Sequence, residues 1–255
     1  VERLQNHGTD RKNYEVLMQA PHTPDGRDWM AFYGGDVEGV RQSLDYLKDL
    51  GVTAIYFNPI FEAKSTHKYD GADYRKIDPH FGTNDEFKAM VKEAKSKGIR
   101  VILDIVYNHS GNSHWAFKDA VEKGPSSPYY TWFEFKKWPL PAGWPAMAAP
   151  WKPADYYYCW WGFGDLPDLN FDLSRNNDAE KAVRDVRQAQ PNIPLVNHLL
   201  DATEFWLKDM DVDAAGAVYL TCRSPVSSPT TPGAYQPAPL GFFATWVGKL
   251  SSDGK

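Results

Sequence analysis

The chain has 255 residues and a net charge of −5, and 42% of its residues are apolar. This length allows one α/β barrel or two small domains, and the apolar content supports a sizeable core. The acidic balance argues against a nucleic-acid partner, and the lack of a long apolar run argues against a membrane partner. Two cysteines, Cys159 and Cys222, give neither a disulfide framework nor a metal-binding spacing.

The first regular pattern predicts a helix over residues 36–49 and a strand over residues 52–57. Asp36 suits the N-cap of this helix, and Gly51 is typical of the residue that ends one. The strand sequence, VTAIYF, is short, apolar and β-branched. Four apolar residues of the helix recur at helical spacing and are expected to face a core: Val37, Val40, Leu44 and Leu47.

A second helix and strand are predicted over residues 83–107. Thr83 and Glu86 have the spacing of a capping box, and Gly98 ends the helix. The strand RVILDIVY, residues 100–107, is expected to be buried on both faces, which favours a parallel sheet between amphipathic helices. The buried stripe of the helix is expected to consist of Phe87, Met90, Val91 and Ala94.

The periodic pattern stops over residues 110–193, which are rich in Trp, Tyr, Pro and Gly. A stretch of this length is too long for an ordinary loop, so we expect a small inserted subdomain. A third helix is predicted from Pro194, and residues 211–213 (DVD) are expected to begin another strand. One face of this helix is expected to hold Val196, Leu199, Leu200, Thr203, Trp206, Leu207 and Met210.

Residues 214–255 differ in character from the rest of the chain. They contain four charged residues, no Glu and many Pro, Ser and Thr, and they show no sustained helix or strand pattern. We interpret them as an atypical tail, and a shift of the reading frame is one hypothesis that accounts for it.

The whole chain is also rich in aromatic residues, with 10 Trp, 14 Tyr and 13 Phe. Flat rings with polar edges suit a ligand that has apolar faces and a rim of hydroxyl groups, such as a sugar. On composition alone, a large aromatic core is the more frequent explanation.

Three polar clusters lie at or near predicted strand ends, where ligands bind in parallel α/β folds. Each cluster alone is weak, because a loop His or a turn-forming Asp is common. Their order and their placement together are more specific. The first holds His67, Tyr69, Asp70 and Asp73; the second holds Asp104, Asn108 and His109; the third holds Asp165, Asp168, Asn170 and Asp172.

These blocks resemble the α-amylase family of glycoside hydrolases, particularly its neopullulanase and cyclomaltodextrinase branch. The resemblance covers residues 1–213 and rests on HKYDGADYRKIDPHFGTNDEF, GIRVILDIVYNHSG and LPDLN. It implies a (β/α)8 TIM-type barrel, of which this chain holds the first half, with a small subdomain inserted after the third strand. The implied division is residues 1–109 (barrel), 110–193 (insert), 194–213 (barrel helix and start of the fourth strand) and 214–255 (tail).

The resemblance implies roles for five residues. Tyr69 matches the tyrosine that stacks on the sugar where the bond breaks, and His109 matches the histidine that holds its hydroxymethyl group. Asp104 matches an aspartate that supports the active-site network. His67 and Asp70 are expected to line the pocket.

The family hydrolyses α-glucosidic bonds with retention, using two close carboxyl groups. Here the block DVDAAGAVYLTCR stands where the family carries its nucleophilic aspartate, and none of the three family carboxylates is identifiable. We therefore expect an α-glucan hydrolase by descent, present as an incomplete chain that is inactive alone. The alternative is a non-catalytic amylase-like binding or scaffold module. An unrelated nucleotide-binding enzyme is disfavoured because no Gly-rich phosphate loop is present.

The expected partner is an α-glucan oligosaccharide or polysaccharide. Pairing with a second copy is also expected if the open sheet edges of half a barrel stay uncovered. Cytoplasmic and secreted locations both stay open. The resemblance further suggests calcium, because short polar residues supply the oxygen ligands that calcium requires. The proposed ligands are Asn6, Asp10, Asn13, Gly34 and Asp36, with Asn108 as a further candidate.

Overall fold

The computed structural model describes Phe32 and residues 34–144, 153–175 and 190–209, together with the backbone of residues 218–225 and 243–250. The helices are α1 (Val37–Gln42), α2 (Leu44–Asp49), α3 (Asn84–Ser96), α4 (Trp115–Lys123) and α5 (Ile193–Glu204). The strands are β1 (Ala54–Phe57), β2 (Phe61–Ala63), β3 (Gly71–Ile77), β4 (Arg100–Leu103), β5 (Val218–Pro225) and β6 (Phe243–Leu250). None of the helices in the described ranges has the length and apolarity needed to cross a bilayer.

The parallel pairing predicted from the sequence is confirmed for β1 and β4, which align from Ala54 with Arg100 to Phe57 with Leu103. Both strands are shorter than expected, so that Asp104 directly follows β4 instead of lying within it. Because the two strands are parallel, the loops that follow them both start at the carboxyl-terminal end of the sheet. Strands β2 and β3, which the sequence did not predict, form an antiparallel pair.

The caps of the predicted helices are also confirmed. The Asp36 carboxylate accepts a hydrogen bond from the Gly39 backbone at 2.7 Å, and Thr83 and Glu86 form a reciprocal capping box. The single helix predicted over residues 36–49 is interrupted at Ser43, whose hydroxyl donates to the Gly39 carbonyl. Such a bond offers the backbone an alternative partner and favours a break in the helix. All four residues of the α3 stripe are buried.

A first core lies between helices α1 to α3 and one face of the β1–β4 pair. The prediction that the strand at residues 100–107 is buried on both faces is wrong, since Ile102 is 43% exposed. Its neighbour across the pair, Tyr56, is exposed too. Side chains alternate between the faces of a strand, so Tyr56 and Ile102 share the face that turns away from the first core.

A second core, rich in aromatic residues, joins α4, the segments at residues 129–144 and 156–169 as far as they are described, α5 and Tyr74 of β3. The sequence pattern did not predict helix α4. Its N-cap is His114, whose Nδ1 accepts from the Ala116 backbone, and histidine is not a usual N-cap residue. Helix α5 carries Pro194 in its first turn, as predicted. Its buried face is formed by Leu195, Leu199 and Ala202, whereas Leu200, predicted on that face, is exposed.

The tail contains strands although its sequence shows no sustained strand pattern, because β5 and β6 pair in antiparallel register over eight residues each. Both segments contain β-branched and aromatic residues, which favour strands: Val218, Tyr219, Thr221, Phe243, Thr245, Trp246 and Val247. The strand expected at residues 211–213 lies outside the described residues, as does Met210.

The histidines of the second core predict a loss of stability in acid. Burial lowers the pKa of His114 to about 3, and burial also lowers the pKa of His198. In the unfolded chain both groups titrate near their ordinary value of about 6.5. Below that pH the unfolded state binds more protons than the folded state, so the free energy of unfolding falls as the pH drops towards 3.

Urea unfolding of the wild type, His114→Gln and Lys88→Ala between pH 7 and pH 4 measures this effect. We expect His114→Gln to show a shallower fall in stability with pH than the wild type. Lys88→Ala, a change on the exposed side of α3, should keep the wild-type slope. Equal slopes for all three proteins would contradict this account of the second core.

Candidate functional site

Backbone hydrogen bonds bring the three polar clusters together at one end of the β1–β4 pair. The Gly111 amide donates to the Gly71 carbonyl at 2.8 Å, which joins the second cluster to the first. The Leu169 amide donates to the Asn108 carbonyl at 3.1 Å, which joins the third cluster to the second. The clusters therefore form one surface.

Tyr69 and Asp104, predicted to belong to one site, are in contact. The Tyr69 hydroxyl donates to Asp104 Oδ2 at 3.2 Å. A further phenol, that of Tyr56, also faces Asp104; burial and this carboxylate raise the pKa of Tyr56 to about 12. Burial and Asp104 likewise raise the pKa of Tyr69. Both phenols therefore stay neutral hydrogen-bond donors beside Asp104 at physiological pH.

His109 lies deeper, with only 4% of its surface exposed. The Asn108 side-chain amide lies 3.2 Å from His109 Nδ1. Burial lowers the pKa of His109 to about 4, against smaller opposing effects of the Tyr69 backbone and Asp70. Nε2 is buried and meets no hydrogen-bond partner among the described residues. The site thus contains a buried imidazole that stays neutral at physiological pH.

His67 and Asp70 shape the loop that carries Tyr69. The Asp70 carboxylate accepts from the Ser65 backbone at 3.1 Å and also from the Ser65 hydroxyl. His67 is exposed, and its Nδ1 accepts from the Tyr69 backbone at 3.1 Å. Asp70 is therefore engaged within the loop, and a role in lining the pocket stays a prediction for both residues.

An ion pair that the sequence did not predict anchors the same loop. Lys68 is 2% exposed, and its Nζ lies 2.7 Å from Asp78 Oδ2 and 2.9 Å from the Ala63 carbonyl. Burial alone would raise the pKa of Asp78, but bonds from Lys68, His80 and Ala63 outweigh it and hold that pKa below its ordinary value. Lys68 has a φ of 60°, which costs a non-glycine residue on the order of 1–2 kcal/mol. The ion pair therefore stabilises the strained backbone immediately before Tyr69.

The third cluster contributes mainly to the framework. Asp168 pairs through its backbone with His109, and Asn170 is buried beneath the surface. Asp165 accepts from the Asn112 amide at 2.7 Å. Asp172 accepts from the Ser174 hydroxyl and from the backbone amides of Ser174 and Gln190.

The predicted calcium ligands are only partly described. Asn6, Asp10 and Asn13 lie outside the described residues. Asp36 uses Oδ1 to cap α1, and Asn108 contacts His109. Across the described ranges, no group of three or more His, Cys, Asp or Glu side chains could hold a metal ion. Calcium at these residues therefore stays a prediction.

Comparison with known proteins decides the family. Residues 7–214 match the alpha amylase catalytic domain. The chain belongs to the α-amylase family. A cyclomaltodextrinase of Geobacillus thermopakistaniensis is 38% identical over 183 residues, a match that covers 72% of this chain and 26% of that protein. Neopullulanase 2 of Thermoactinomyces vulgaris is 51% identical over 110 residues, which is 43% of this chain and 19% of that protein. The chain thus spans about a quarter or less of the length of these relatives.

Solved structures of the same family resemble the fold. The type III pullulan hydrolase of Thermococcus kodakarensis superposes with a TM-score of 0.56 at 40% identity, covering 69% of this chain and 26% of that one. The cyclic α-maltosyl-(1→6)-maltose hydrolase of Arthrobacter globiformis gives a TM-score of 0.57 at 34% identity, covering 73% and 37%. The family fold is a TIM barrel, and the parallel β1–β4 pair with α3 is the part of that architecture the described residues contain.

The buried ion pair gives a prediction for stability. Lys68→Ala leaves the Asp78 carboxylate buried without its cation, so the free energy of unfolding should fall by about 3–5 kcal/mol. Lys76→Ala is the matched control, because Lys76 pairs with Glu62 and Asp73 at the surface, where ion pairs contribute little. Chemical unfolding measures both variants, and a loss in Lys68→Ala no larger than in Lys76→Ala would contradict the anchoring role.

Proposed function

We propose that this chain binds α-glucans through Tyr69, His109 and Asp104, and that it derives from a retaining hydrolase of α-glucosidic bonds in starch, maltodextrins or cyclodextrins. The observation that carries the proposal is the convergence of Tyr69 on Asp104 beside the buried His109. The names of the relatives, which include a cyclomaltodextrinase and a neopullulanase, support the same substrate class.

The chemistry of the site suits a sugar. The exposed ring of Tyr69 offers an apolar face, and the Asp104 carboxylate accepts hydrogen bonds. A sugar hydroxyl would satisfy the buried Nε2 of His109, and a buried polar atom left unsatisfied costs about 1–3 kcal/mol. Because burial keeps His109 neutral, it would bind a hydroxyl through a hydrogen bond of the neutral ring and not as a cation.

Binding and hydrolysis are separable in this proposal. Retaining hydrolysis needs a nucleophilic carboxylate and an acid/base carboxyl group about 5 Å apart. The sequence after Asp213, AAGAVYLTCR, contains no carboxylate to take the nucleophile's role, and no Glu follows Glu204. We therefore propose that this chain binds the sugar without substantial turnover.

The remaining parts of the proposal follow the family. Residues 110–193 would be the subdomain inserted after the third barrel strand, and the aromatic residues that pack around α4 support this, although the same core also takes in Tyr74 and α5. The open edges of the β1–β4 pair would pair with further barrel strands or with a second copy of the chain. Calcium at Asn6, Asp10, Asn13, Gly34 and Asp36 is retained as a proposal only.

A non-catalytic module is the second candidate, favoured by the altered block at residues 211–223. Its ancestry and sugar contacts would be the same, but sugar binding or scaffolding would be its present role. The nucleotide sequence of the gene beyond the codon for Asp213, read in all three frames, discriminates the two candidates, because a frame that encodes the missing aspartate favours the hydrolase.

Isothermal titration of the purified chain with maltoheptaose, alongside an assay for reducing ends, tests the proposal. We expect saturable binding, weakened at least about tenfold in Tyr69→Ala, and no release of reducing sugar. Lys88→Ala, on the exposed side of α3, is the control and should bind as the wild type does. Absence of binding would refute the sugar site, and clear turnover would refute the claim that the chain lacks its catalytic carboxylates.

A further inference from the structure

Two tryptophans beside the candidate site stack face to face, and the outer one is exposed. The indoles of Trp160 and Trp161 stack with ring centroids 4.6 Å apart and an interplanar angle of 4°. Trp161 is 67% exposed, the highest value among the exposed large apolar residues of the described chain. We call this pair the indole platform.

The platform continues directly from the candidate sugar site. The Trp160 ring lies 5.2 Å from the His109 ring at an angle of 32°. Three flat rings therefore lead from the buried imidazole to the exposed indole of Trp161. Phe163, which is also exposed, lies at the outer side with its ring 6.4 Å from Trp160.

The backbone holds the platform in place. Residues Trp160–Gly162 form a short 3-10 turn, and the Trp160 amide donates to the Leu166 carbonyl at 2.9 Å. The Phe163 amide donates back to the Trp160 carbonyl at 3.0 Å. The segment after the turn is tight as well, because a Cβ on Gly164 would lie 2.1 Å from the Pro153 ring. The two indoles are thus presented on a fixed turn.

Core packing does not explain this arrangement. Trp161 adopts a φ of 52°, a conformation that costs a non-glycine residue on the order of 1–3 kcal/mol and that clusters at binding sites. The cost accompanies an indole turned towards solvent, where it gains little from the hydrophobic effect. A bound ligand with a flat apolar face would supply the missing burial.

We propose that the indole platform is a second sugar-stacking subsite, where the outer face of Trp161 holds a further glucose unit of an α-glucan chain that is bound at Tyr69 and His109. The inference rests on the proposed function and adds the residues that would select chains over short sugars. A pyranose ring has an apolar C–H face that matches an exposed indole, and its hydroxyl rim stays in solvent. Continuity with His109 is what favours a glucan over another occupant.

Titration of the full chain with maltoheptaose and with maltose tests the subsite. Trp161→Ala should bind maltoheptaose at least about tenfold more weakly, with a smaller effect on maltose. Trp161→Phe keeps a flat ring and should stay within about threefold of the wild type. Tyr46→Ala, which removes an exposed ring on α2, is the control and should leave both affinities unchanged. Thermal melting of Trp161→Ala should match the wild type.

The outcomes separate the two proposals. If the wild type binds no glucan, the proposed function fails, and the subsite fails with it. If the wild type binds and Trp161→Ala binds maltoheptaose equally well, the subsite is refuted while the sugar site stands. If Trp161→Ala leaves sugar binding intact but dissociates a dimer in sedimentation experiments, the platform is an interface between copies, which also overturns the inference.

Discussion

The candidate site depends on a close approach between two backbone segments. A Cβ on Gly111 would lie 2.2 Å from the Asp70 carbonyl oxygen, so only glycine fits there. The same residue donates its amide to Gly71 at 2.8 Å. Tyr69 directly precedes this contact on one segment, and His109 lies two residues before Gly111 on the other. The approach therefore fixes the distance between the two principal side chains of the sugar site.

Longer-range features support this contact from both sides. The parallel pairing of β1 and β4 places Asp104 at the same end of the sheet as the loop that follows β1. The buried pair of Lys68 and Asp78 anchors the strained backbone before Tyr69. On the other side, the segment of Asp168 pairs with His109 and connects it to the aromatic core around α4. Fold and site are thus coupled through hydrogen bonds and not through packing alone.

Local signals predicted much of this structure from the sequence. The capping box at Thr83 and the α3 stripe depend on residues close in the chain, and these predictions are confirmed. Helix α4 was missed because histidine is not a usual N-cap. The partner of Lys68 lies ten residues away across a hairpin that no local pattern predicted, and the exposure of Ile102 depends on what covers the sheet. Stacking of Trp160 on Trp161 likewise requires a turn that composition alone does not reveal.

Gly111→Ala, compared with Gly98→Ala, tests the close approach most directly. Gly98 has a φ of +79°, and a Cβ there meets nothing within 4 Å, so its substitution introduces local strain without an overlap. Thermal melting and maltoheptaose titration should be measured for both variants. The account predicts that Gly111→Ala loses more stability than Gly98→Ala and also loses sugar affinity, while Gly98→Ala keeps its affinity. A Gly111→Ala protein with wild-type stability and wild-type affinity would contradict the account.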